Sequence, residues 1–217
     1  YACITFDDGY KGVIDNGFEI FESLKVPITI FINTCTLENK IFWRDKVRFI
    51  LNNSLVEEFE MFSTKINKVN NEDFYKYSKY NVNNSSFVEN EIDKFLIKKN
   101  IDIKLNNYSI NLKKHLKKNK LIYYGNHTHS HYVMSSLSYN EQYKEISKAK
   151  KILNKYDINQ SKIFSLPFGG ENDFNQDTLS ALNELGYKAM LMSRNNINYH
   201  KTKQELENII LLERFMP

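Results

Sequence analysis

Little in this chain of 217 residues points to a scaffold held by covalent links, a membrane span or a nucleic-acid partner. Cysteine occurs twice, as Cys3 and Cys35, too few for a disulfide-built scaffold. Both lie in apolar, strand-like runs and read as two free buried thiols, a bridge between neighbouring strands being the alternative. No apolar run approaches the roughly 18–20 residues that span a bilayer, and no signal-peptide pattern is seen. The net charge is +4, yet the lysines are scattered among Asn, Asp and Glu. Without a basic stripe interleaved with aromatics, nucleic acid is excluded as the expected partner. Proline is rare, with three residues, glycine numbers seven, and no internal repeat is found. What the chain does have is 41% apolar and 14% aromatic residues. That composition and length support one sizeable core and at most two small domains.

Behind the opening run Tyr1-Ala2-Cys3-Ile4 stands Thr5-Phe6-Asp7-Asp8-Gly9. A strand-like run ends there in two carboxylates and a glycine, which lets the chain turn. The pair thus falls at a strand's C-terminal edge, where α/β proteins place their chemistry. Adjacent carboxylates repel unless a cation holds one of them; taken alone, the triplet reads first as a polar turn after a buried strand. Ile14, Phe18, Phe21 and Leu24 recur at helical spacing, Pro27 stops the helix, and Ile28–Ile32 reads as a strand. This is a βαβ unit. The chain opens on Tyr1 inside a strand-like run, which is expected of a fragment of a longer sequence.

From about residue 37 to 119 the alternation breaks, and Asn, Lys and Tyr dominate. The spacing predicts a mostly helical insertion there, a lid or rim. One helix begins at Phe42-Trp43 and runs through Leu51. Another has a capping box at Ser86 and Glu89, with Val88, Ile92, Phe95 and Leu96 on one face. Alternation returns with a strand at Leu121–Tyr124. Ser138 and Glu141 then cap a helix carrying Tyr143, Ile146, Ala149, Leu153 and Tyr156. A strand at Ile163-Phe164 leads into Pro167-Phe168-Gly169-Gly170. A helix with Leu179, Leu182 and Leu185 ends at Gly186. Strands at Ala189–Met192 and Ile209–Leu212 follow. The order predicts an α/β fold, a parallel barrel or a doubly wound sheet.

Three of the five histidines fall within Gly125-Asn126-His127-Thr128-His129-Ser130-His131, directly behind the third strand. His127 and His131, four apart, point the same way if they share one helical turn. With a carboxylate from the Asp pair they make a three-ligand zinc site that leaves positions for water and substrate. His129 reads as a surface residue or a hydrogen-bond partner behind the ligands. Asn126-His127-Thr128 also spells a glycosylation sequon, discounted in so asparagine-rich a chain.

Thr5–Gly9, His127–His131 and Pro167–Gly169 resemble, in this order, three motifs of the polysaccharide deacetylases, carbohydrate esterase family 4. The likeness covers residues 1–36 and about 112–192 and leaves the insertion outside. It implies a distorted (β/α) barrel of parallel strands, complete or incomplete, with 1–217 as a single catalytic domain carrying the insertion. It also implies a hydrolase that removes N-acetyl, or O-acetyl, groups from sugars such as N-acetylglucosamine polymers. By resemblance Asp8, His127 and His131 hold a divalent metal, zinc above others, and Asp7 is the general base. A metal lowers the pKa of water and polarises the acetyl carbonyl, and a free carboxylate takes the proton. The oxyanion then rests on the metal and a backbone N–H, which falls to Phe168 since Pro167 has none.

Two positions depart from the family pattern. The arginine that tethers the catalytic aspartate, two residues before the motif-three proline, is here Ser165, with Arg214 or Arg194 as substitutes. Members acting on poly-N-acetylglucosamine often lack that arginine too. The histidine expected after the late leucine-rich strand is here Glu213. Glu213 serves as the acid only if burial raises its pKa; otherwise it is an ordinary strand-end carboxylate. His200 is a weaker candidate, and in some relatives the acid comes from upstream of the first motif. The expected partner is an acetylated amino-sugar oligomer or polymer of the cell surface, with no oligomeric state implied. The expected location is the cell envelope or outside the cell if an export signal stood upstream, and the cytoplasm otherwise. An amidase for non-carbohydrate substrates and a sugar-binding module that has lost turnover are the rival readings. Phe42, Trp43 and the insertion's tyrosines read as insertion core, with a stacking surface for sugar rings as the alternative.

Overall fold

In the computed structural model, which describes residues 2–68, 72–103, 115–116, 118–198 and 204–215, seven strands join one sheet. They are β1 (Ile4–Phe6), β2 (Ile28–Ile32), β3 (Ile122–Asn126), β4 (Gln160–Ser165), β5 (Ala189–Leu191), β6 (Gln204–Leu206) and β7 (Ile209–Leu212). Among the described residues the order is β1-β2-β3-β4-β5-β7-β6. All pairings are parallel except the β6–β7 hairpin. The sheet curls into an open half-barrel with helices packed on it, a distorted, incomplete (β/α) barrel.

β2 is buried on both faces, as a strand inside a parallel sheet must be, and its Ile-rich run suits that position. A wide π-turn at Val13–Gly17 and helix α1 (Phe18–Ser23) cover it. Ile14 and Phe18 are buried, but Leu24, which the helical spacing assigned to the same face, lies past the helix and is 66% exposed. Between β2 and β3 stand α2 (Trp43–Asn52), α3 (Val56–Phe62), α4 (Phe74–Tyr77) and α5 (Ser85–Lys98). Val47, Phe59, Phe74, Val88, Ile92 and Phe95 from these helices share one buried cluster with Phe164, Leu166, Met190 and Leu211 of the sheet side. Each such side chain contributes roughly 1.5–3 kcal/mol on burial, so these helices are welded to the sheet. α6 (Tyr139–Leu153) and α7 (Gln176–Glu184) complete the layer.

Local details both follow and correct the sequence reading. The Ser138–Glu141 capping box opens α6 as expected, and Gly186, at φ +79°, follows α7. Helix α5 is capped instead by Asn84, whose side chain accepts from the Phe87 N–H. Cys35 is buried and Cys3 is exposed, because β1 is an edge strand with only one neighbour. The β6–β7 hairpin went unpredicted. Its turn residues Glu207 and Asn208 both take positive φ, as a tight hairpin turn demands, without the glycine that would have marked it. Asp7, His127, Pro167 and Glu213 each follow the C-terminal end of a parallel strand, so one rim gathers all the segments that carried chemistry in the sequence.

Candidate metal centre and active site

On that rim one ligand atom each from Asp8, His127 and His131 lies within 4.8 Å of the others. Asp8 Oδ1 stands 3.5 Å from His127 Nε2 and 3.4 Å from His131 Nε2. Ligand atoms bonded at about 2.0–2.2 Å to a tetrahedral zinc are about 3.3–3.6 Å apart, so the separations fit such an ion. Asp8 Oδ1 is also buried with no hydrogen-bond partner, an orphan that a cation would satisfy. The donor set, one carboxylate and two imidazoles, suits zinc and other divalent first-row metals.

The two histidines do not converge through a helical turn. Residues 127–131 form an irregular loop with Thr128 at φ +67° and His131 at φ +60°. Side-chain bonds hold this shape. Asn126 Oδ1 accepts the Thr128 N–H at 2.8 Å, and Thr128 Oγ1 accepts the His131 N–H at 2.9 Å. Glu145 of α6 accepts from the Ser130 N–H at 2.6 Å and from Ser130 Oγ at 3.0 Å. Asn33 donates to the His127 carbonyl, and Trp43 Nε1 donates to the His131 carbonyl at 2.7 Å. His127 Nδ1 donates to the Ser165 carbonyl at 2.8 Å, which leaves Nε2 free as the ligand atom. His129 turns away, with Nδ1 against Thr34 Oγ1 at 2.9 Å and Nε2 against Lys148 at 2.8 Å. Asn126 is 1% exposed, so its amide is sealed inside.

Charge is arranged accordingly. Burial pushes Asp8 up, but the neighbouring imidazoles of His127 and His131 outweigh this and hold it down at about 2. Burial also pushes Asp7 up, and His127 and Arg214 together bring it below the ordinary 3.8. Burial lowers His127, but Asp7 and Asp8 more than offset it. His131, buried beside His127, is pushed down to about 3, and a neutral imidazole is the form that ligates a metal.

Asp7 is gripped on both oxygens. Ser165 Oγ donates to Oδ1 at 3.0 Å, and Arg214 Nη2 meets Oδ2 at 2.7 Å. Arg214 is itself fixed, with Nε on the Met192 carbonyl at 2.9 Å and Nη2 on Ser193 Oγ at 2.5 Å. Of the two arginines open at the sequence level, Arg214 is the one on Asp7. Arg194 pairs instead with Glu171 at 2.8 Å and with Glu213. Glu213 therefore has its carboxylate in the guanidinium fork of Arg194. His200 lies outside the described residues.

Phe168, at φ +64°, precedes Gly169 at φ +76°. Among the described residues its N–H meets no acceptor, and its ring stands edge-on to His131 at 4.7 Å. Phe42 and Trp43 are 6% and 1% exposed, so they pack as core and offer no open ring face to a sugar. The sequence reading passed over Asn33, Ser165 as an aspartate partner, and Glu145. Only their places just past β2, at the end of β4 and on the face of α6 signalled them. A cavity of about 830 Å³ lies behind the loop, lined by Ser130, Tyr132 and Glu145 among others and by neither His127 nor His131.

A family model described as "Polysaccharide deacetylase" matches residues 78–190, just over half of the chain. The match takes in 78–111, which the motif reading left outside the likeness, and omits Thr5–Gly9. No curated protein sequence matches significantly. Among solved structures, the deacetylase PplD of Streptococcus pyogenes, in complex with acetate, superposes with a TM-score of 0.50 at 14% identity. The superposition covers 98% of this chain and 64% of that one. A de-N-acetylase from Aggregatibacter actinomycetemcomitans gives 0.50 at 11% identity, covering 98% and 68%. At these identities the likeness is one of fold, and the chain spans less than two thirds of the Streptococcus protein's length.

Proposed function

That this chain belongs to the polysaccharide deacetylase family is the premise from which we propose that it hydrolyses N-acetyl groups on an amino-sugar oligomer or polymer. Residues 1–217 form one catalytic domain with an insertion at about 37–119; the buried cluster shared by the helices and the sheet supports this. Asp8, His127 and His131 hold a divalent metal, zinc being the best match to two nitrogens and an oxygen. When bound, such a metal supplies Lewis acidity toward the acyl oxygen and the attacking water. The observation that carries the reading is the buried, unpartnered Asp8 Oδ1 between two imidazole nitrogens.

The remaining roles belong to side chains and backbone of the chain itself. Asp7, kept ionised and aimed by Arg214 and Ser165, takes the proton of the attacking water. The Phe168 N–H, which meets no acceptor among the described residues, stabilises the charge that develops on the acyl oxygen. An acetylated polysaccharide as substrate supports work in the cell envelope or outside the cell. No helix among the described residues is long and apolar enough to cross a membrane.

Acetate release from chito-oligosaccharides, before and after chelation and after zinc is restored, tests the proposal. Release that survives thorough chelation sinks the metal role. A metal-loaded protein that binds the sugar and releases no acetate favours a binding module, while turnover confined to non-sugar amides favours the amidase reading.

A further inference from the structure

His131 is held in a backbone conformation that a side chain with a Cβ disfavours, at φ +60°. Such a residue stays in place only where its surroundings fix it. The two backbone groups of His131 are fixed from two sides. Its N–H is tied at 2.9 Å to Thr128 Oγ1, within the same loop. Its carbonyl is tied at 2.7 Å to the indole N–H of Trp43, 88 residues earlier on α2. Because the peptide unit is planar, anchoring the carbonyl fixes ψ, as the N–H bond constrains φ. The ring then lies between Phe42 at 5.0 Å and Phe168 at 4.7 Å, with Nε2 3.4 Å from Asp8 Oδ1.

We propose that Trp43 is a positioning residue of the metal centre, its indole N–H holding the His131 carbonyl so that the imidazole keeps its place beside Asp8. Trp43 is 1% exposed, meets Tyr132 edge-on and has the Arg44 guanidinium over its ring, so the donor is delivered by a rigid, packed ring. Indole has a single N–H and no acceptor, so the bond runs one way and is lost when that hydrogen is removed. The stretch between β2 and β3 is thereby a working part of the ligand set. This inference rests on the metal-binding reading above.

The chain contains one tryptophan, so replacing tryptophan throughout with an isosteric analogue bearing sulphur for the N–H alters this bond alone. The analogue-bearing chain and Trp43→Phe are each titrated with zinc for affinity and loaded with cobalt(II) for visible absorption, and the metal-free melt of each is recorded. The expected result is zinc binding about ten- to a hundredfold weaker, with altered cobalt bands, while the metal-free analogue melts like the unaltered chain. Should Trp43→Phe fail to fold, the analogue, which keeps the ring's shape, still decides. Unchanged zinc affinity and cobalt spectrum in the analogue overturn the positioning role. If the unaltered chain binds neither metal, the metal centre itself falls, and this inference with it.

Discussion

Arg214 offers the sharpest test of how the base is organised. Changing it to methionine keeps an aliphatic stem and removes the guanidinium that meets Asp7 Oδ2 at 2.7 Å. Asp7 keeps the neutral bond from Ser165 and the more distant His127 Nε2 at 3.8 Å. A hydrogen bond to a charged group contributes about 1.5–3 kcal/mol, and both partners are largely shielded, with side chains 13% and 26% exposed. At about 1.4 kcal/mol per decade, kcat for acetate release falls about ten- to a hundredfold. KM stays near its original value, because the guanidinium touches the base and not the sugar. The pH profile moves in a defined direction. Burial raises the Asp7 pKa, and Arg214 is one of the groups that lower it. Without Arg214 the carboxylate is protonated at higher pH, so the acidic limb of kcat shifts upward. Arg214→Lys recovers part of the rate, retaining charge without the fork. The assay is acetate release from chito-oligosaccharides across pH. A methionine variant within about twofold of the unaltered kcat, with its acidic limb unmoved, refutes the argument.

Other expectations follow from the same geometry. Asp7→Asn loses turnover yet binds zinc as before, whereas Asp8→Ala loses the metal itself; equilibrium dialysis with metal analysis separates them, and equal metal loss in both contradicts the division of roles. Burial raises Glu145 to about 7 despite its bonds from Ser130. The native chain therefore binds a proton that the unfolded chain releases near 4.5, and stability falls as pH rises between these values, by up to roughly 3 kcal/mol. Glu145→Gln should then melt above the parent at about pH 8 and level with it below about pH 4.5, and a pH-independent difference would count against this. A Cβ on Gly125 would sit 2.3 Å from the buried Phe31 ring, so Gly125→Ala lowers stability by about 1–3 kcal/mol, readable in urea denaturation. An unchanged midpoint would mean the Phe31 ring moves aside freely.

Features set by local pattern are legible in the amino-acid sequence alone. The Ile-rich β2, the capped α6 and the glycine closing α7 follow from periodicity and turn chemistry. The rim location of Asp7, Asp8, His127 and His131 follows from their places just past strands. The means by which His131 reaches Asp8 is not legible there, because it depends on left-handed backbone at Thr128 and His131, residue types that give no warning of it. Asp8 and Phe168 share that conformation, so all three motifs contain a strained non-glycine residue, the kind that gathers at working sites. Nor can spacing choose between Arg194 and Arg214. That choice turns on Glu213 capturing Arg194, a contact between residues on different strand ends. Trp43 reaches the loop from a helix 88 residues earlier and Glu145 from the helix that follows it, and only the folded chain reveals such bonds.

The single indole of this protein ends on the carbonyl of His131. Its fluorescence is therefore a label already installed where a spectroscopist would want one. A shift in emission on adding a cation, or on warming, would report loosening of that one loop from the body of the protein, with no dye and no tag.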